Sequence, residues 1–325
     1  DPEITVVGTA GDPFRARDQI IKLQPDVLTL DVEMPRMDGL EFLRKLMPQY
    51  PLPVIMVSAL TRQNSNITLN ALAAGAIDFV LKPNQDVAQN LNGMMKELRE
   101  KIKMAASVDV SHWKHKKREI PAIKKVRFDS LAQTTDKVIA IGASTGGTEA
   151  IRKIITVLPA NTPGVVIVQH MPAGFTKMFA ERMNELSIME VKEAESGDRV
   201  MTGRVLVAPG NYHMKLLRSG GDYRVTCEDG EQVCGHRPSV EVLFRSVAKY
   251  AGANAVGIML TGMGRDGAEG MLAMRQAGAR TVAQDEATSV VFGMPKEAYL
   301  RGGAEKLAPL HNIPVILQEY LRTMI

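Results

Sequence analysis

The stretch Lys137–Pro159, KVIAIGASTGGTEAIRKIITVLP, decides how this chain is read. It opens on Val138-Ile139-Ala140-Ile141, a short β-branched run of the kind that forms a strand buried on both faces. The chain then turns at Gly142-Ala143-Ser144-Thr145-Gly146-Gly147. A helix pattern follows, with Ala150, Ile151, Ile154, Ile155 and Leu158 recurring at three- and four-residue spacing, and Pro159 helps to end it. The unit is strand–turn–helix with a serine in the turn. Glycines allow the sharp bend, and the first turn of the helix offers N–H groups without intrahelical partners. A hydroxyl there can be presented beside an anion-stabilising site.

Gly142-x-Ser144-x-Gly146 matches the nucleophile-elbow formula of serine hydrolases. Taken alone, the same residues also fit a glycine-rich turn of a Rossmann-like domain in which Ser144 merely caps the helix. A phosphate cradle over Gly142–Gly147 is a third reading, weakened because the full G-x-G-x-x-G fingerprint is missing and no P-loop lysine follows. A signalling adaptor with a dead site is a fourth.

The whole chain narrows the choice. Its 325 residues suit two domains, and its composition is that of an ordinary soluble globular protein. The apolar runs are too short for a membrane span, and the start does not read as a signal peptide. Two cysteines, Cys227 and Cys234, are too few for a disulfide scaffold; a bridge across a hairpin is possible, but reduced thiols in a cytoplasmic protein are expected. The six histidines are scattered, without metal-site spacing. Between residues 105 and 135 seven Lys/Arg stand against three acids, which accounts for the whole formal net charge of +4. The basic character thus belongs to one polar, Pro-interrupted segment, read as an interdomain linker rather than a nucleic-acid face.

Past the serine unit, Gly164-Val165-Val166-Ile167-Val168-Gln169 reads as another buried parallel strand with His170 at its carboxyl end. Val205–Ala208 is a strand, and residues 214–217 and 223–227 read as an antiparallel hairpin. Ser239–Ala248 and Ala268–Gln276 are helices, Arg280–Gln284 is a strand, and Lys296–Arg301 is a helical turn. The strand Ala255–Leu260 leads into Thr261-Gly262-Met263-Gly264-Arg265-Asp266-Gly267. Ser144, His170 and Asp266 each follow a different predicted strand, so they can converge on one sheet edge. A serine needs an imidazole to take its proton, and the imidazole needs a carboxylate on its other nitrogen. Asp285 is a rival carboxylate, His213 and His236 are rival bases, and Asp266 could instead be a helix N-cap. The backbone N–H groups of Thr145 and Met263 sit where they could face an oxyanion.

Residues 1–104 alternate strand and helix patterns: strands at Ile4–Gly8, Asp26–Leu30, Val54–Val57 and Ile77–Leu81, and helices from Pro13, over Leu40–Met47, around Ile67–Ala74 and over Asp86–Met104. Such alternation predicts a parallel sheet covered by helices. Asp31, Ser58 and Lys82 each lie at a strand's carboxyl end, where an acid, a hydroxyl and an amine together could accept a phosphoryl group.

Two resemblances follow from these residues. LTLDVEMPRMDG, MVSAL and GAIDFVLKP resemble the receiver domain of bacterial response regulators, a flavodoxin-like fold. The resemblance implies Asp31 as phospho-acceptor, Ser58 as switch hydroxyl, Phe79 as switch aromatic and Lys82 as the site lysine. The module starts at what resembles a receiver's second strand. The first strand and helix are missing, and with them the acidic pair that helps to bind Mg²⁺ for phosphoryl transfer. A fragment of a longer protein is the expectation, and a module that no longer works as a receiver is the alternative; either way the Mg²⁺ site is incomplete. IAIGASTGGTEAI, QHMPAGFT, APGNYHM, HRPSVEVLF, LTGMGRDGAEGM and VVFGMPKEA resemble the catalytic domain of the chemotaxis response-regulator methylesterases, the CheB family.

Together the resemblances imply an α/β chain with a partial receiver over 1–104, a basic linker over 105–135, and a methylesterase domain with a mainly parallel sheet over 136–325. They imply hydrolysis of glutamyl methyl esters on chemoreceptors, with release of methanol, and deamidation of receptor glutamines. Ser144 is then the nucleophile, His170 the base and Asp266 its orienting partner, with Thr145 and Met263 in the oxyanion region. No cofactor is implied for the hydrolysis. The implied partners are methyl-accepting chemoreceptors as substrate and a chemotaxis histidine kinase as phosphodonor to the receiver, without nucleic acid or membrane insertion, in two-component signalling and sensory adaptation in the cytoplasm.

Overall fold

The computed structural model describes residues 1–59, 61–83, 87–115 and 136–324. The chain divides into two units, Asp1–Ile120 and Pro121–Ile325.

In the first unit Asp12 caps helix α1 (Pro13–Leu23), its carboxylate accepting from the N–H groups of Phe14 and Arg15 at 3.0 and 3.1 Å. Strand β1 (Leu28–Asp31) follows, then α2 (Gly39–Gln49), β2 (Val54–Ala59), α3 (Arg62–Ala74), β3 (Asp78–Lys82) and α4 (Val87–Ala105). The strands form a parallel sheet in the order β1-β2-β3, with Asp31 opposite Val57 and Lys82 opposite Ala59. The acid and the lysine therefore end the two outer strands, on either side of β2, at the same end of the sheet. One expectation fails: Ile4–Gly8 forms no strand, and Val6 is 77% exposed. A β-branched run becomes a strand only where a neighbour supplies the ladder, and among the described residues none pairs with it. The beginning of the expected linker is ordered instead. A short 3₁₀ turn, Ser111–His115, sets Trp113 against Gly75, where a Cβ would lie 2.8 Å from the indole ring. The rest of the linker, 116–135, lies outside the described residues.

The second unit runs β4 (Val138–Ala143), α5 (Gly147–Ile155), β5 (Gly164–Gln169), α6 (Phe175–Leu186), β6 (Glu190–Glu193), β7 (Arg199–Val200), β8 (Arg204–Val207), β9 (His213–Ser219), β10 (Asp222–Glu228) and α7 (Val240–Tyr250). It continues through β11 (Ala255–Met259), α8 (Ala268–Gln276), β12 (Arg280–Gln284), α9 (Met294–Leu300), β13 (Lys306–Ala308) and α10 (Ile313–Thr323). Seven strands make one sheet in the order β13-β12-β11-β4-β5-β8-β6, and every adjacent pair is parallel. The β9–β10 hairpin turns at Gly220-Gly221, and β7 completes a small antiparallel sheet.

The core explains the apolar run of β4. Val138 and Ala140 join a cluster with Leu243, Phe244 and Val247 of α7 and with Leu216 and Val225 of the hairpin. Ile139 and Ile141, on the alternate face, are equally buried. A strand buried on both faces must be continuously apolar. The sheet's edges read differently: β6 is Glu-Val-Lys-Glu and β13 only three residues, so the sequence did not signal them, and short charged strands are what an edge tolerates. Strand β4 lies at the centre, between β5 and β11. The chain moves outward on one side of it and then returns on the other, which leaves a crevice at the carboxyl ends of β4, β5 and β11.

Candidate active site

Ser144 directly follows β4 and His170 directly follows β5. Because Ala143 is register-paired with Gln169, the two stand side by side on adjacent strands, whose spacing is about 4.8 Å. The serine's backbone is held from several sides. Its N–H donates to the Thr261 carbonyl at 3.0 Å, and its own carbonyl accepts from Gly147 N–H at 2.7 Å and from Gln169 Nε2 at 2.9 Å. Gly146 makes the turn in the left-handed region at φ 77°, and a Cβ there would sit 2.6 Å from the Val290 side chain, so both conformation and space require glycine. Gly262 approaches from the β11 loop, where a Cβ would lie 2.8 Å from that of Ser144. Helix α5 begins at Gly147 with Gly146 as N-cap and no side-chain cap bond. Ser144 is thus not the cap of its helix, which removes the plainest structural role for its hydroxyl.

The His170 imidazole is almost wholly buried, and its Nε2 lies 2.8 Å from Asp266 Oδ2. Asp266 caps a helix other than the one after it. Helix α8 starts behind Gly267 without a side-chain cap, while the Asp266 carboxylate sits on the N-terminus of α7. There Oδ2 accepts from Val240 N–H at 2.7 Å, and Oδ1 accepts from Ser239 Oγ at 2.8 Å and Glu241 N–H at 3.1 Å. Burial alone would push this carboxyl upward. The hydrogen bonds from His170, Ser239 and Val240 outweigh it and hold the group below the ordinary carboxylate range. The charge also meets the positive end of the α7 dipole. An ionised Asp266 can only accept, so His170 faces it with an N–H on Nε2, and in the neutral ring the lone pair is then on Nδ1. That Nδ1 is buried without a hydrogen-bond partner. A buried acceptor left open costs about 1–3 kcal/mol, and here it lies on the strand next to Ser144.

The CheB methylesterase family model matches residues 139–317, and the response regulator receiver domain model matches residues 1–92. The chain belongs to the CheB methylesterase family. A protein-glutamate methylesterase/protein-glutamine glutaminase of Syntrophotalea carbinolica is 65% identical over 314 residues, covering 96% of this chain and 89% of the relative. One of the same description from Salmonella choleraesuis is 54% identical over 311 residues, 96% of this chain and 88% of its own. The crystal structure of the Thermotoga maritima CheB methylesterase catalytic domain matches with a TM-score of 0.56 at 38% identity, over 57% of this chain and 99% of that one.

Within this CheB-family domain the rivals from the sequence are engaged elsewhere. Asp285 closes its own turn, accepting from the Thr288 N–H and hydroxyl at 3.1 and 2.6 Å. His213 is buried, with Nε2 2.8 Å from the Glu231 carbonyl and Nδ1 accepting from Ser239 N–H. His236 is the exception: its ring stacks on His170 with centroids 3.8 Å apart and planes 16° from parallel. Thr145 and Met263 lie on two loops joined by the Ser144 bond to Thr261 and by the Thr261 hydroxyl donating to the Thr145 carbonyl at 3.0 Å. Sequence reasoning missed Gln169 and Ser239. Gln169 Nε2 donates to the carbonyls of both Ser144 and His170, the second at 3.3 Å. A polar residue inside an apolar strand was the available signal for it. Nothing local marks Ser239. Cys227 and Cys234 are both free thiols.

In the receiver unit Lys82 Nζ lies 2.5 Å from Asp31 Oδ2, and the Glu33 N–H donates to Oδ1 at 3.2 Å. Ser58 does not join them. It is fully buried, accepts from the Thr68 hydroxyl at 2.9 Å and donates to the Ala59 carbonyl at 3.3 Å. Phe79 is buried, and its carbonyl accepts from Lys101 at 2.6 Å. A Mg²⁺ ion wants several oxygen ligands. Among the described residues no group of three or more His, Cys, Asp or Glu side chains is placed to hold a metal. Asp31 is a single carboxylate already facing an ammonium, so the residues present do not fit that ion. Among the described residues no helix is long and apolar enough to cross a membrane.

Proposed function

We propose that this chain hydrolyses γ-glutamyl methyl esters on methyl-accepting chemoreceptors in the cytoplasm, releasing methanol, and deamidates receptor glutamines to glutamate. The observation that carries this is the open, buried Nδ1 of His170, whose other nitrogen is bound to an ionised Asp266 and whose strand neighbour is Ser144. The named relatives support the substrate class.

Ser144 Oγ attacks the ester carbonyl carbon while His170 Nδ1 takes its proton, and Asp266 steadies the imidazolium through Nε2. The carbonyl oxygen gains charge, for which the Thr145 and Met263 N–H groups are the proposed donors. Collapse breaks the C–O bond, and His170 returns the proton to the departing methoxide, giving methanol and a glutamyl-enzyme. Water then attacks that ester with His170 again as base, freeing the glutamate side chain and Ser144. With a glutamine the leaving group is ammonia, and the remaining steps are the same. Asp31, beside Lys82, is the proposed phospho-acceptor from a chemotaxis histidine kinase, through which the receiver regulates the esterase in adaptation; no step is drawn through Mg²⁺.

Methanol release from methylated receptor membranes tests the assignment. Ser144→Ala is expected to lower kcat by about 10⁴-fold or more, the scale on which triad nucleophiles act. Release within tenfold of the parent would remove Ser144 from the reaction.

A further inference from the structure

We propose that His236 is a positioning residue for the base: its ring fixes the plane of the His170 imidazole and so aims the Nδ1 lone pair at Ser144. This rests on the triad reading above. The hydrogen bond from Nε2 to Asp266 at 2.8 Å and the bond to Cβ hold two points of the His170 ring and leave it free to rotate about the axis between them. The Nδ1 lone pair lies in the ring plane, so any pivot swings it away from the hydroxyl. Contact at 3.8 Å between nearly parallel rings removes that freedom and covers one face of the base from water.

His236 is itself held. It closes a tight turn with Val233, each N–H donating to the other's carbonyl at 3.1 and 3.0 Å, across Cys234 and Gly235 at φ 53° and 80°. Arg237 is anchored to Asp229 and to the Gly230 carbonyl. Three residues after His236, Ser239 opens the set of donors that grips Asp266. The segment 236–241 thus supports both members of the pair, the base by its ring face and the carboxylate by its N–H and hydroxyl groups. A one-ångström misplacement of a reacting group can cost about 10²-fold in rate, so the leverage is large.

The test compares methanol release by three variants of the full chain. His236→Ala removes the stack and is expected to lower kcat about tenfold or more with KM within about twofold. His236→Phe restores a flat ring and is expected to recover kcat to within about threefold of the parent. His236→Gln keeps polar capacity without the ring and should resemble the alanine variant. In an Asp266→Asn background, where the ring has already lost its charged anchor, His236→Ala should cost less than about threefold further. The proposal is overturned if the alanine variant matches the parent, if glutamine rescues where phenylalanine does not, or if the two losses multiply in full. Ser144→Ala, run alongside, separates the two levels. A Ser144→Ala chain that still turns over sinks the esterase reading itself, whereas a dead one beside an unaffected His236→Ala sinks the stacking role alone.

Discussion

Asp266→Asn keeps the shape of the side chain and changes one oxygen into an NH₂ donor. The four groups in hydrogen bonds to the carboxylate all present hydrogens: His170 Nε2 and Val240 N–H to Oδ2, Ser239 Oγ and Glu241 N–H to Oδ1. If the NH₂ takes the Oδ2 place, Val240 N–H loses its acceptor and His170 must move its proton to Nδ1, which removes the base. If it takes the Oδ1 place, the Ser239 hydroxyl can turn to accept, but Glu241 N–H is stranded. In both arrangements the imidazolium loses its counter-charge. We expect kcat to fall by roughly 10²–10⁴-fold, about 3–5 kcal/mol in the barrier. One stranded buried N–H costs about 1–3 kcal/mol, and loss of the charge from the α7 N-terminus adds up to about 2 kcal/mol. At roughly 2–4 °C per kcal/mol, Tm should drop by several degrees. The pH dependence has a definite sign. The Asp266 carboxyl lies lower in the folded chain than in the unfolded one, so the unfolded state binds the proton first. Its contribution is complete above the ordinary carboxylate range and is lost as pH falls through the depressed value, so the asparagine variant should show a flatter acid limb. Methanol release and thermal unfolding at several pH values measure all three effects. A variant with kcat within threefold of the parent and an unchanged Tm would refute the reasoning.

Gln169→Glu sets a carboxylate oxygen against the carbonyls of Ser144 and His170 where an amide now donates to both; with two buried bonds lost, it should destabilise by about 3 kcal/mol or more and reduce turnover, read by denaturant midpoint and methanol release. Gly146→Ala forces a side chain into left-handed backbone against Val290, and a loss of about 1–3 kcal/mol is expected on the same denaturant curve. Burial pushes the Cys227 thiol up to about 12, while burial and then the Asp266 charge raise Cys234 less, so an alkylating reagent at pH 8 should label Cys234 and spare Cys227 in the folded chain, as peptide mapping would show.

Local pattern was enough for the framework. The apolar runs of β4, β5 and β11 announced a parallel sheet, because strands covered on both faces must be apolar throughout, and the residues just past them were marked as one sheet edge. That Ser144 and His170 stand side by side follows from strand adjacency and needed little more. The same patterns misread Ile4–Gly8, where a β-branched run has no partner among the described residues, and missed β6 and β13, whose edge positions permit charged or very short strands.

Which carboxylate stands beside His170 was decided only in three dimensions. Asp266 and Asp285 each sit in a polar loop after a strand, and nothing local separates them. Asp266 is selected because its loop folds back to the N-terminus of α7, whose donors lie 25 to 27 residues away in sequence and keep it ionised beside His170. The same holds for His236, a turn residue in sequence that the tight turn at 233–236 brings face to face with a histidine 66 positions earlier in the numbering. Periodicity records which residues share a face of one element. Hydrogen bonds and ring contacts between distant elements depend on how those elements pack, and that the folded chain alone decides.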